Sequence, residues 1–269
     1  MYDLPNFYIE NGALGDQAFF LCHIYSLCNY FKVPSVDIFS ERYFCYIHPD
    51  EPPQYKKPNQ AVLFLWTQCR RINSIRFLWS QEPNFFQYCP KDRLSTFHRI
   101  SEWLDPLERI TPLEGEKKCV FQPVSIQMKS KKLLGEYLCP WNHCIDALLN
   151  NGYSIYMIGS KEDEQYLPDL IDKKYMPKIN NLINKISLTD ALEMVLYQAD
   201  FVLSCDSWAG VWGIANRVPT ACAWGPRMEA GQDDYVLDYL GNRDVYSFDW
   251  SSKKEVTDRA LAKWIKFKS

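Results

Sequence analysis

The sequence predicts an α/β protein built on parallel, doubly wound sheet, and two stretches carry that prediction. Asn6–Lys32 reads as a short apolar strand, a glycine turn and an amphipathic helix. Ser187–Pro226 reads as helix, strand, turn, helix and strand. Size is a third observation. The 269 residues are 47% hydrophobic and 15% aromatic, enough to bury one large core or two modest ones.

The elements follow in order. Asn6–Ile9 is the first strand, and Glu10–Asp16 is the turn. Gln17–Lys32 places Phe20, Leu21, Ile24, Leu27, Cys28 and Phe31 on one helical face. This opening suits a nucleotide-binding domain. It is neither a dinucleotide fingerprint nor a P-loop, because G-x-G-x-x-G and Gly-Lys-Ser/Thr are both absent. Gly12 and Gly15 permit backbone angles that let a substrate approach closely. Asp16 suits the N-cap of the helix that follows. Further strands are predicted around Val36–Phe39, Phe44–Ile47, Val62–Trp66 and Ile75–Trp79, with a proline-rich loop at Pro49–Pro58 and a helix at Leu94–Leu104.

Residues 111–118, with Pro112 and Gly115, read as a linker. Cys119–Val124 is the next strand, ending at Ser125 ahead of the basic run Lys129, Lys131 and Lys132. Pro140–Asn151 is a helix with Trp141, Cys144, Ile145 and Leu148 inward, and Gly152 suits its C-terminal cap. Ser154–Ile158 is a strand closed by Gly159, with an acidic helix expected over 162–172. The helix opening at Ser187 turns Leu188, Leu192, Val195 and Leu196 to one face. Strand Phe201–Ser204 leads into Cys205, Asp206 and Ser207, then a small-residue helix containing Ala209, Gly210, Gly213 and Ala215, and strand Thr220–Trp224. Polar residues past the carboxyl end of a parallel strand lie where such sheets bind ligands. A helix N-terminus there favours an anion such as phosphate. A helix near Tyr235–Leu240, a strand near Val245–Phe248 and a helix over Glu255–Phe267 complete the chain.

Composition narrows the setting. No stretch approaches the roughly 20 apolar residues of a membrane span. Met1–Pro5 lacks the basic-then-apolar pattern of a signal peptide. Ten scattered cysteines without Cys-x-x-Cys, and four unclustered histidines, point to reduced thiols and no zinc site. The expectation is a cytoplasmic protein without integral membrane contact. The net charge is −3, yet 56–99 is locally basic and aromatic, with Arg70, Arg71 and Arg76 beside Trp66, Phe77 and Trp79.

The signals in Ser187–Pro226 resemble the nucleotide-sugar-binding half of family 9 glycosyltransferases, the heptosyltransferase group. The matching residues are Ser187-Leu188, Asp206-Ser207, Ala215, Pro219 and Gly225. Trp208 stands where the family has glycine, and Val211 where it has histidine. The opening Gly12-x-x-Gly15-Asp16 turn is also similar to the family's own. The resemblance implies a GT-B-like fold, two Rossmann-type domains facing a cleft, with the C-terminal helix crossing back. On that reading 1–110 is the acceptor-side domain, 119–250 the nucleotide-sugar domain, and 251–269 the helix packing on the first domain.

It also implies roles. Asp16 becomes the candidate general base, which an inverting transfer needs to deprotonate the acceptor hydroxyl. One of Lys129, Lys131 and Lys132 faces the donor phosphates, and spacing does not choose among them. Glu164 is the best match for the carboxylate that holds the ribose, and Asp163 the second. Ser125, Gly159, Asp206, Ser207, Trp208 and Gly210 complete the donor set. Gly12, Gly15, Arg70, Arg71 and Arg76 are the acceptor-side candidates. The implied activity is metal-independent sugar transfer from a nucleotide-sugar cosubstrate, with no further cofactor. Absence of Asp-x-Asp fits it. Two polyanionic acceptors suit the chain: the lipopolysaccharide inner core, or a hydroxylated pyrimidine of bacteriophage DNA, for which 56–99 offers phosphate contacts and stacking. The alternative is a binding or scaffold protein on the same fold, with catalysis lost through Trp208 and Val211.

Overall fold

A computed structural model describes residues 6–9, 15, 36–41, 72–78, 101, 112–125, 141–205, 207–224 and 245–249. The chain separates into two compact units, Met1–Glu108 with Asp238–Gly241, and Arg109–Leu237 with Asn242–Ser269.

In the first unit, strands β1 (Asn6–Ile9), β2 (Val36–Glu41) and β3 (Ile72–Leu78) form a sheet in that order. Both pairings are parallel. β3 starts three residues before the expected Ile75, because Ile72 already pairs with Val36. Gly15 is buried and helical. The strands expected at Phe44–Ile47 and Val62–Trp66 lie outside the described residues, as do helices 17–32, 235–240 and 255–267. So does helix 94–104, save Ser101.

The second unit holds a six-stranded parallel sheet. Its strands are β4 (Lys117–Gln122), β5 (Tyr153–Met157), β6 (Ile179–Asn181), β7 (Phe201–Cys205), β8 (Thr220–Trp224) and β9 (Val245–Asp249). The order is β6-β5-β4-β7-β8-β9. The first strand of the unit is therefore central, and the order reverses between β4 and β7, which is the dinucleotide-fold arrangement. β4 begins at Lys117, inside the stretch read as linker. Asp200 explains this: its carboxylate accepts from Lys118 N at 2.8 Å, and its own N–H donates to Lys118 O at 2.9 Å.

Helices cover both faces. α1 (Trp141–Asn150) presents Trp141, Cys144, Ile145 and Leu148, spaced i, i+3, i+4 and i+7. They pack with Cys119 and Phe121 of β4 and Phe201 and Leu203 of β7. Phe121 and Trp141 meet edge-on with centroids 5.2 Å apart. Gly152, at φ +80°, ends the helix as expected. The alternate residues of the same strands pair in register as Val120 with Val202 and Gln122 with Ser204. That face belongs to α4 (Trp208–Ala215). A methyl group on Gly210 would lie 2.9 Å from Cys222 Sγ, and one on Gly213 2.9 Å from Val202 Cγ2. The two glycines let the helix backbone lie almost on the sheet.

Two helices differ from expectation. The stretch 162–172 is a 3₁₀ turn (Lys161–Tyr166) followed by a single α turn, α2 (Leu167–Leu170). Pro168 is the reason. Its ring opposes a helix running through from Glu164, but it fits the first turn of a new one. α3 (Leu188–Glu193) starts at a capping box, in which Ser187 Oγ accepts from Asp190 N and the Asp190 carboxylate accepts from Ser187 N, both at 3.0 Å. It then widens into a π turn, Met194–Gln198. Leu188 is 36% exposed rather than inward. It occupies the first helical position, where side chains lean back past the end of the helix.

Candidate functional site

The site region is the carboxyl edge of β5, β4 and β7, adjacent in the sheet. Each strand is apolar along its length and polar where it ends. β7 is buried throughout and closes on Ser204 and Cys205. Both Ser204 Oγ, at 2.7 Å, and Cys222 Sγ, at 3.4 Å, donate to Cys205 O, which fixes that strand end. Ser207 then stands at the N-cap position of α4 in extended conformation, with no capping bond from its side chain, and Trp208 begins the helix. Both are half-buried.

β4 ends on Gln122, only 6% exposed. Its Oε1 accepts from Ala209 N at 3.2 Å, joining the central strand to the second residue of α4 across the point where strand order reverses. Ser125, three residues on, is buried at 5% exposure.

At the end of β5, Ile158 N donates to Phe121 O at 2.9 Å, so the turn into Gly159 is held against β4. Gly159 packs against Asp163, whose Oδ2 would lie 2.7 Å from an added methyl group. The same Oδ2 accepts from Ser160 N at 2.6 Å. Asp163 is 5% exposed, so its carboxylate serves the turn, whereas Glu164 is exposed.

Ser125, Gly159, Ser207 and Trp208 thus share one sheet edge. Gly210 turns its open side to Ser204 and Cys222, so packing accounts for it and its backbone alone is left to a ligand. Val211, where the family has histidine, is buried one turn into α4. Asp206, Lys129, Lys131 and Lys132 lie outside the described residues. So do Gly12, Asp16, Arg70 and Arg71. Arg76 falls within β3. Gln122 was missed by sequence reasoning, although a polar residue closing the apolar run Cys-Val-Phe ahead of Pro123 was a visible signal. Among the described residues no three His, Cys, Asp or Glu side chains gather where a metal could sit. None of the described helices is long and apolar enough to cross a membrane.

This arrangement can hold a nucleotide: strand ends at a switch point, a helix N-terminus facing them, and small residues that let backbone approach. Comparison with solved structures finds the same fold over nearly the whole chain. The ADP-heptose lipopolysaccharide heptosyltransferase II of E. coli superposes with a TM-score of 0.55 at 10% identity, covering 98% of each chain. A family 9 glycosyltransferase of Veillonella parvula DSM 2008 gives 0.57 at 11%, again over 98% of each. E. coli heptosyltransferase WaaC with ADP-2-deoxy-2-fluoro heptose gives 0.56 at 12%, over 98% of this chain and 100% of that one. The fold is therefore GT-B. No curated protein sequence matches the chain. The family model for glycosyltransferase family 9 (heptosyltransferase) matches residues 81–218, from before β4 to the strand-proximal end of α4 and beyond. With that match running through every strand end of the site, the chain belongs to glycosyltransferase family 9, the heptosyltransferase family.

Proposed function

We propose that this glycosyltransferase moves a sugar, with inversion, from a nucleotide diphosphate-sugar to a hydroxyl of a phosphorylated glycan. The observation that carries the reading is the family match across the ends of β4, β5 and β7. ADP-activated heptose is the donor to try first, because the E. coli structures of like fold are an ADP-heptose enzyme and a protein bound to ADP. The acceptor proposed is a lipopolysaccharide inner core. A DNA acceptor has no support among the comparisons.

In this scheme Asp16 takes the proton of the acceptor hydroxyl as its oxygen attacks the anomeric carbon. The bond from that carbon to the diphosphate breaks. The departing charge is met by the N-terminus of α4 and by one of Lys129, Lys131 and Lys132, without a metal. Glu164 is the better ribose partner, since Asp163 is committed to Ser160 N.

Transfer assays with ADP, UDP, GDP and CMP sugars, without added metal and read by product mass, test the proposal. Asp16→Asn keeps a residue able to cap a helix. It is expected to lower kcat by roughly 10²–10⁴ with little change in donor KM. An unchanged kcat would leave Asp16 a cap and no more.

A further inference from the structure

Trp208 is not used to fill the core. Trp141 and Trp212 are 0% exposed, whereas Trp208 is half-buried at the first position of α4. Among the described residues its indole meets no hydrogen-bond partner and no other ring. Gly210 and Gly213 mark the side of α4 that lies on β7 and β8. Trp208 precedes Gly210 by two residues, about 200° round the helix, so its Cβ leaves on the side away from the sheet. At a first helical position the side chain also leans back past the helix end. The indole therefore stands over the carboxyl edge of the sheet, outside the packed layer. Val211, 8% exposed, follows three residues on along the same side. The family has glycine and histidine at these two positions; here both are apolar, and one is large.

The order of the strands says which part of the donor reaches it. Glu164, the proposed ribose partner, follows β5, and α4 follows β7, with β4 between them. Two strand spacings are about 10 Å, the reach of a ribose and its diphosphate. A donor anchored by its ribose beyond β5 thus brings its sugar to the first turn of α4. The geometry points to Trp208 as the residue that selects the sugar: its ring packs against the C–H face of the transferred pyranose, and Val211 extends the wall. An aromatic face fits apolar C–H groups and is indifferent to the nucleotide. The substrate class that suits this wall is a sugar with an uninterrupted C–H face on one side of its ring. The assignment rests on the donor-site reading above, and Trp208 makes and breaks no bond.

The test uses the full chain and titration calorimetry with matched pairs: ADP against ADP-heptose and ADP-glucose, UDP against UDP-glucose, GDP against GDP-mannose. The quantity read is the affinity of each sugar nucleotide relative to its own nucleoside diphosphate. In Trp208→Gly that ratio is expected to fall about tenfold for the preferred sugar, while the bare diphosphate binds within roughly twofold of the wild type. Trp208→Phe keeps an aromatic face and should keep most of the ratio. Trp208→Leu keeps bulk without the ring and should lose most of it. An unchanged ratio in Trp208→Gly, or equal weakening of both members of a pair, would overturn the proposal and leave Trp208 a structural residue of the helix end. If Trp208→Gly does not fold, a wild-type ratio in Trp208→Leu decides against it equally. Failure of the wild type to bind any of the three diphosphates would instead overturn the donor-site reading, and this inference with it.

Discussion

Gly213 has no room for a methyl group. An added Cβ would lie 2.8 Å from Thr220 Oγ1 and 2.9 Å from Val202 Cγ2, both on strands that cannot easily retreat. Gly213→Ala should therefore cost about 1–2 kcal/mol net, overpacking outweighing the gain in helix propensity. Urea unfolding measures it, and Val202→Ala in the same chain should recover part of the loss. Tyr175 offers a second test. It is 2% exposed, and its hydroxyl donates to the Asp146 carboxylate. Burial, then that hydrogen bond, raises its pKa above the usual 10.0. The folded state thus keeps a proton that the unfolded chain gives up. The associated stability is complete below about pH 10 and is lost as pH rises beyond it. Tyr153, also raised chiefly by burial, acts in the same direction. Tyr175→Phe should flatten the decline in stability between pH 9 and 11, followed by urea midpoints. An unchanged slope would remove Tyr175 from the account.

The π turn at Met194–Gln198 shows how far helices could be read from sequence. Ala199 N donates to Met194 O at 2.9 Å, one residue further back than in an α-helix. Leu196 O is taken by buried Asn216 Nδ2, 2.5 Å away, and Gln198 Oε1 accepts from Leu113 N at 2.7 Å. These partners lie 20 and 85 residues away in sequence, and no local pattern announces them. Asn216→Leu should destabilise the fold by about 1–3 kcal/mol, since a buried carbonyl loses its donor. Thermal unfolding reads the effect, and Asn216→Asp, which cannot donate when ionised, should be no milder. By contrast α1, β7, α4 and β8 were legible. Each has a steady period or an unbroken apolar run, with glycine or a small-residue break at its edge. The 3₁₀ turn at Lys161–Tyr166 was legible only through Pro168, a signal the acidic first turn obscured. Of the site, the residues at strand ends were predictable because parallel sheets place ligands there. Gln122 was not singled out, because its bond is to Ala209 of α4, 87 residues later in the chain.

The family, the GT-B fold and the class of chemistry emerged from the order of signals along the chain rather than from any one motif. Asp206-Ser207 alone would suit many helix caps; set between β7 and a small-residue helix, it stands in the order that resembles the nucleotide-sugar half of family 9. That same order has a cost during synthesis. β4 is central, yet only its β5 side is completed by the chain that follows directly. Its other side waits for β7, and Lys118 and Asp200 are 82 residues apart. At roughly 5–20 residues per second on the ribosome, one edge of an apolar strand stays open for several seconds. Nascent chains halted before Asp200 should bind chaperones or aggregate, while those that have released β8 should not. The ribosome-bound intermediate, rather than the finished protein, is then where this fold is most exposed to failure.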